Sequence, residues 1–294
     1  MIKFHGSKGN QKCGYPNIGM SPIKSCPGAV CAKCPCCCDK QGNISLEEGS
    51  CYVFSEKPGA AKAHEENYQL WKTEPERYKK ELEGWIALTG IDTLRISEAG
   101  DMPDVAYADY LIDLAKRNPQ IQFFGFTKNY KIWDLVNRLP FWKLPNFNLV
   151  LSEWGDLKPS EELRQYYNTA TAVSLFDYDK AEQRGFRHCG GNCQNCDRCK
   201  YKKGGDVYFV IHGKKGFYEI PEEYRINEKL DLNAPGAVKF GGKTINGIRD
   251  KYCEVVGTND YEARTKALVD VWKKIQAREI RVYKNGFTME RGKV

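Results

Sequence analysis

The chain has 294 residues, 13 of them cysteine, and 45 Lys and Arg against 38 Asp and Glu give a formal charge of +7. A chain of this length buries a core without sulfur staples, and an odd number of cysteines cannot all pair, which argues against a disulfide-built secreted scaffold. The opening MIKFHGSKGN lacks the apolar stretch of a signal peptide, and no apolar run reaches the roughly 18 residues of a membrane span. The expected setting is a reducing cytoplasm, where clustered cysteines bind metal. The charge is only mildly basic, too little by itself for a nucleic-acid footprint.

Residues 1–55 are polar, punctuated by Gly and Pro and rich in sulfur. They read as loops wrapped around a metal, after a short first strand at Ile2–Phe4. The stretch SCPGAVCAKCPCCCDKQG, residues 25–42, holds Cys26, Cys31, Cys34, Cys36, Cys37 and Cys38. Cys26, Cys31 and Cys34 supply three ligands and one of the last three a fourth, taken as Cys38; Cys13 and Cys51 flank the stretch and are placed to join it. From Ala60 to Trp85 the residues suit a helix with a break at Pro75. A strand is predicted at 91–97, then a helix at 104–119 with Asp104 as N-cap and Pro119 as stop. Further strands are predicted at 121–127, 146–152, 171–176 and 206–212, and helices at 130–139 and 160–168. The tail from about 260 reads as one long helix and a short strand.

Strands alternating with helices at this spacing argue for parallel βαβ units. The expected fold is a TIM-like parallel β/α barrel, complete or partial, with an open doubly wound sheet second. The barrel core and its cysteine loops at 26–38 and 189–199 are placed in residues 1–215, with 216–294 as a C-terminal α/β extension packing on the same domain.

In parallel α/β folds the chemistry sits at the C-terminal ends of the strands. Those ends read Ser97-Glu98-Ala99-Gly100-Asp101, Thr127-Lys128-Asn129, Ser152-Glu153, Asp177 and His212. Glu98, Asp101 and Lys128 are the candidate catalytic residues, the carboxylates for an amine or ribose hydroxyls and the lysine for an anionic group. Ser97, Asn129 and Glu153 are the candidate cofactor contacts. The rival reading is that strand ends turn polar because loops begin there; His64 reads as a surface or core residue.

A second cluster, HCGGNCQNCDRCKYKK, spaces Cys189, Cys193, Cys196 and Cys199 with Gly, Asn, Gln and Asp between them. Zinc accepts four thiolates, but its motifs usually come as two separated Cys-x-x-Cys knuckles. Closely spaced cysteines in one run favour a 4Fe–4S cluster. Zinc is the alternative metal. Cys253 stands apart and reads as a small buried apolar residue.

SPIKSCPGAVC, LRISEAGDM, IQFFGFTKNY, NFNLVLSEWGD and GGNCQNCDRCKYKKGGDVYFVIHG resemble, in order, the motifs of the bacteriophage gene product 88 proteins, over roughly residues 4 to 213. The resemblance implies a phage-borne protein, working in the host cytoplasm, with an early cysteine triad beside a barrel, as in radical-SAM enzymes. Two features depart from it. Cys-Pro-Cys-Cys-Cys replaces the usual Cys-Tyr after the triad, and SEAGD stands where radical-SAM barrels carry Gly-Gly-Glu. The second departure argues against S-adenosylmethionine as cofactor. The leading expectation is an iron–sulfur protein with one or two 4Fe–4S clusters, a redox or radical-type enzyme on an unidentified small molecule or redox partner. The alternatives are an electron carrier, or a nucleic-acid-binding or structural protein whose loops hold zinc. For nucleic acid the support is the interleaving of Lys and aromatics at 199–218. No membrane partner is expected.

Overall fold

Pro75 divides the first helical region. It lacks the N–H an interior position would need and suits a first turn, so helix α1 (Pro58–Thr73) ends before it and α2 (Pro75–Thr89) begins on it. Gly90, in the left-handed region at φ 59°, closes α2 with its N–H on Ile86 O at 3.1 Å. The computed structural model describes residues 2–9, 13–22, 24–26, 58–131, 133–153, 158–211, 218–258 and 260–289. Cys31, Cys34, Cys36, Cys37, Cys38, Cys51 and His212 lie outside the described residues.

The chain divides into two compact units. The first comprises residues 1–172, 185–187 and 193–209. Strands β1 (Asn17–Ile18), β2 (Thr93–Ile96), β3 (Gln122–Thr127), β4 (Phe147–Glu153) and β5 (Thr169–Val173) pair in sequence order, each parallel to the next. β7 (Val207–Val210) and β6 (Arg187–His188) follow, for a sheet order of β1-β2-β3-β4-β5-β7-β6. The parallel α/β expectation therefore holds, but among the described residues no pairing joins the two edges into a barrel.

Right-handed crossovers between strands laid down in one direction put every connection on the same face. On that face α1, α2 and α3 (Val105–Arg117) pack with the 133–144 segment over Ile18, Leu94, Ile96, Phe123, Phe147, Leu149 and Leu151. Asp104 caps α3, accepting the Tyr107 N–H at 2.9 Å. Ser160 does the same for the short α4 (Glu161–Tyr166). A parallel sheet also needs cover on its other face. Here that cover comes from residues 13–17 and 193–203. Tyr15 meets Phe124 edge-on at 6.1 Å, Gln122 Nε2 bonds Lys200 O at 2.7 Å, and Asn148 Nδ2 bonds Cys199 O at 2.9 Å. Cys199 and Phe126 pack with Val150, Ala170 and Val207.

Two sequence expectations fail in this unit. Residues 130–139 are not a helix: a 3-10 turn at Asn129–Lys131 leads into turns in which the Asp134 carboxylate takes the Asn137 N–H at 2.9 Å, competing with helical bonding. Ile2–Phe4 is not a strand, because helix side chains take its backbone. Glu81 accepts Phe4 N–H at 3.1 Å and Arg77 donates to Ile2 O at 2.9 Å.

The second unit comprises residues 173–184, 188–192 and 210–294. It holds α5 (Tyr178–Gln183), α6 (Ile245–Val255), α7 (Tyr261–Gln276) and a four-stranded sheet of order β8-β10-β11-β9, made of Arg225–Ile226, Ile280–Tyr283, Gly286–Met289 and Ala237–Lys239 in that order. The tail is thus a helix followed by a hairpin, β10 antiparallel to β11, rather than a helix and one strand. Cys253 is buried on α6, as expected of an apolar thiol, and burial raises its pKa.

Candidate functional site

The C-terminal ends of β2, β3 and β4 gather buried polar side chains: Ser97, Asp101, Thr127, Asn129, Ser152 and Glu153. Asp101, only 2 % exposed, links two strand ends. Its Oδ1 accepts the Thr127 hydroxyl at 2.8 Å and the Met102 N–H at 2.7 Å, and its Oδ2 accepts the Lys128 N–H at 2.8 Å. Burial raises its pKa to about 6, against the pull of those donors and the Lys128 charge. Ser97 holds φ at 55°, a left-handed backbone on a buried serine at the end of β2. The Glu153 carboxylate pairs with Arg164 of α4. Glu98 is half-buried, its N–H on Ile18 O at 3.0 Å. Asp177 belongs to the second unit, in a 3-10 turn, paired with Lys180 at 2.5 Å.

The first cysteine loop starts at this rim. Ser25 Oγ accepts the Asp101 N–H at 2.9 Å and donates to Ser21 O at 2.7 Å, so Cys26 leaves the fold beside the Gly100–Asp101 turn. Gly100 sits at φ 71°, and a Cβ there would stand 2.3 Å from Ser25 Oγ and 2.6 Å from Met20 O. Close approach and left-handed backbone together call for glycine.

The second loop lies on the sheet face away from the helices, where sequence reasoning did not place it. Cys193, Cys196 and Cys199 belong to the first unit, Cys189 to the second. Cys13, fully buried, hydrogen-bonds the Cys193 thiol. That bond lowers its pKa to about 6 against the cost of burial, helped by the Arg95 charge and the Tyr15 backbone. Arg95 of β2 also lies over the Phe126 ring at 5.7 Å. Neither Cys13 nor Arg95 stood out as a partner of this loop in the sequence; the one signal was an isolated cysteine followed by glycine and tyrosine. Among the described residues, no group of three or more His, Cys, Asp or Glu side chains is arranged to hold a metal ion. The donor chemistry, thiols beside a cation, suits a thiophilic metal.

Among the lysines and aromatics of 199–211, Tyr208, Lys200 and Lys202 are engaged within the protein, while Tyr201 is exposed. Tyr208 is fully buried, Lys200 meets Tyr15 Oη and Asp197 Oδ1 at 2.8 Å each, and Lys202 donates to Trp142 O and Leu144 O. Burial disfavours the Lys200 charge, but those two partners outweigh it and raise its pKa.

The profile of the family described as gene product 88 matches residues 5–203. The chain belongs to this bacteriophage family. The match takes in β1 to β5, both cysteine loops and the strand-end rim, and stops before the four-stranded sheet of the second unit. No curated protein and no solved structure matches the chain. Among the described residues, no helix is long and apolar enough to cross a membrane.

Proposed function

We propose that this gene product 88 protein is an iron–sulfur protein of redox or radical type, working in the host cytoplasm, with its chemistry at the C-terminal rim of the parallel sheet. One observation carries the reading: the Ser25–Asp101 hydrogen bond roots the first cysteine loop at that rim, beside Lys128 and Glu98. The described start of that loop, Ser25 and Cys26, is thus tied to the polar strand ends, where parallel α/β folds keep their active sites, and this supports the reading. Cys26, Cys31, Cys34 and Cys38 would hold one centre, and the loop of Cys189, Cys193, Cys196 and Cys199 a second. With four thiolates on each, such centres would supply electron transfer, the fourth thiolate closing the iron that a three-cysteine cluster leaves open. The chain's residues contribute the charged rim, with Lys128 for an anionic substrate group and Glu98 for a cationic or hydroxyl group. Ser97, Asn129 and Glu153 line the same strand ends. Asp101 already accepts three donors, so its carboxylate is a poor stand-in for the glutamate of Gly-Gly-Glu. This supports a redox role without S-adenosylmethionine. The parallel pairing of β1 to β5 in sequence order supports a partial barrel.

The test is purification without oxygen. Brown protein with the broad visible absorption of thiolate-bound iron, and iron and sulfide in equal amounts, is expected. Colourless protein carrying stoichiometric zinc overturns the reading in favour of structural zinc.

A further inference from the structure

The second cysteine loop meets the N-terminal segment across a long stretch of sequence. Gly14 and Gln194 are 180 residues apart, yet Gln194 Nε2 donates to Gly14 O at 3.3 Å. Gly14 is at φ 68°, and a Cβ there would stand 2.4 Å from Gln194 Cδ, so the approach depends on glycine. On one side of this contact Lys200 Nζ bonds Tyr15 Oη at 2.8 Å. On the other, Cys13 bonds Cys193, and Arg95 bonds Cys13.

The two halves of the loop belong to different units. Cys193, Cys196 and Cys199 are in the first unit with Cys13. The Cys196 N–H points to Cys193 O at 3.3 Å, the tight turn of a Cys-x-x-Cys knuckle, and Asn148 Nδ2 holds Cys199 O at 2.9 Å. Cys189 goes with Gly190, Gly191 and Asn192 to the second unit. There Asn192 Nδ2 bonds Glu262 of α7 at 2.9 Å, and Gly190 and Gly191 lie close against Lys266 and Tyr261. The sulfur that spacing alone makes the fourth ligand thus belongs to the second unit, while Cys13, in the first, contacts Cys193.

We propose that Cys13, not Cys189, is the fourth ligand of the metal centre held by Cys193, Cys196 and Cys199. The inference rests on the reading of this loop as a metal loop and assigns its ligand set. Four thiolates from one unit satisfy a tetrahedral metal or a 4Fe–4S cluster. Cys13 and Cys193 are already in contact, and metal-binding energy would complete the set with Cys196 and Cys199. Arg95 offsets the negative charge that four thiolates accumulate. The site also clamps residues 13–17, and with them β1, to the sheet face.

The experiment titrates the metal-depleted full chain with Co²⁺ alone and reads thiolate–cobalt absorption and the equivalents bound. Cys196→Ser defines the loss of this centre. The expected result is that Cys13→Ser matches Cys196→Ser, losing more than the roughly 100-fold that an outer partner costs, while Cys189→Ser binds as the wild type does. If Cys189→Ser loses the centre, or Cys13→Ser keeps it, the assignment is overturned and the metal-loop reading stands. If wild type and Cys196→Ser bind the same equivalents, the metal-loop reading of this segment fails, and the assignment with it. If Cys13→Ser does not fold, the wild type answers by thiol labelling in mild denaturant. Metal must then slow the labelling of Cys13 in step with Cys193, Cys196 and Cys199. Labelling of Cys13 at its metal-free rate while those three are protected overturns the proposal.

Discussion

Replacing Asp101 by Asn tests the physical account of the strand-end rim. Burial holds the Asp101 pKa at about 6, above its ordinary value of 3.8. The folded protein therefore binds this proton more tightly than the unfolded chain. The stability that Asp101 contributes is fully present below its unfolded pKa and is lost as pH rises through its folded one. A shift of about two units at 1.36 kcal/mol each makes that loss about 3 kcal/mol between roughly pH 4 and pH 7. Asn cannot ionise, so the Asp101→Asn variant lacks this slope. It has its own fixed cost: its amide oxygen accepts the Thr127 hydroxyl and the Met102 N–H, but its NH2 is set against the Lys128 N–H. A buried donor left unsatisfied costs about 1–3 kcal/mol. Urea unfolding of both proteins from pH 4.5 to pH 8 should show the wild type ahead at the acid end and the gap closing by about 2–3 kcal/mol toward pH 8. Other titrating groups cancel in the difference. A gap that stays constant, or widens with pH, refutes the claim that Asp101 is a desolvated carboxyl, since widening requires a lowered folded pKa.

Two further outcomes follow from the same geometry. Asn67, fully buried on α1, takes the His5 N–H at 2.7 Å and donates to His5 O and Gly19 O at 2.9 and 3.0 Å. Asn67→Ala should cost roughly 3 kcal/mol or more in urea unfolding and expose residues 2–9 to proteolysis. Gly100→Ala should destabilise by at least about 1 kcal/mol, from its left-handed backbone and the clash with Ser25 and Met20. It should also lower iron bound by the first cysteine loop, whereas a variant with unchanged stability and iron content would detach that loop from the rim.

The sequence by itself determined the parts that local rules govern. Pro75 split the first helix, Asp104 capped α3, and apolar strands followed by polar ends marked a parallel α/β unit. Each of these is written within a few residues, as a missing N–H, a capping carboxylate or a period. The list of sulfurs was equally plain. Local rules failed where bonding was not local. Residues 130–139 carry helix-like apolar spacing, but the Asp134 side chain turns the backbone aside. Strands β8 and β9, two and three residues long, are too short to show a period and exist through pairing with the β10–β11 hairpin. Tertiary structure alone decided that the sheet's second face would be covered by residues 13–17 and 193–203, that Ser25 would meet Asp101, and that Cys13 would meet Cys193. The cover of the second face, and with it the Cys13–Cys193 contact, follows from a one-directional winding that puts its helices on one face and leaves the other to be closed by chain from distant parts of the sequence. Ser25 meets Asp101 because the strand ends gather segments far apart in sequence.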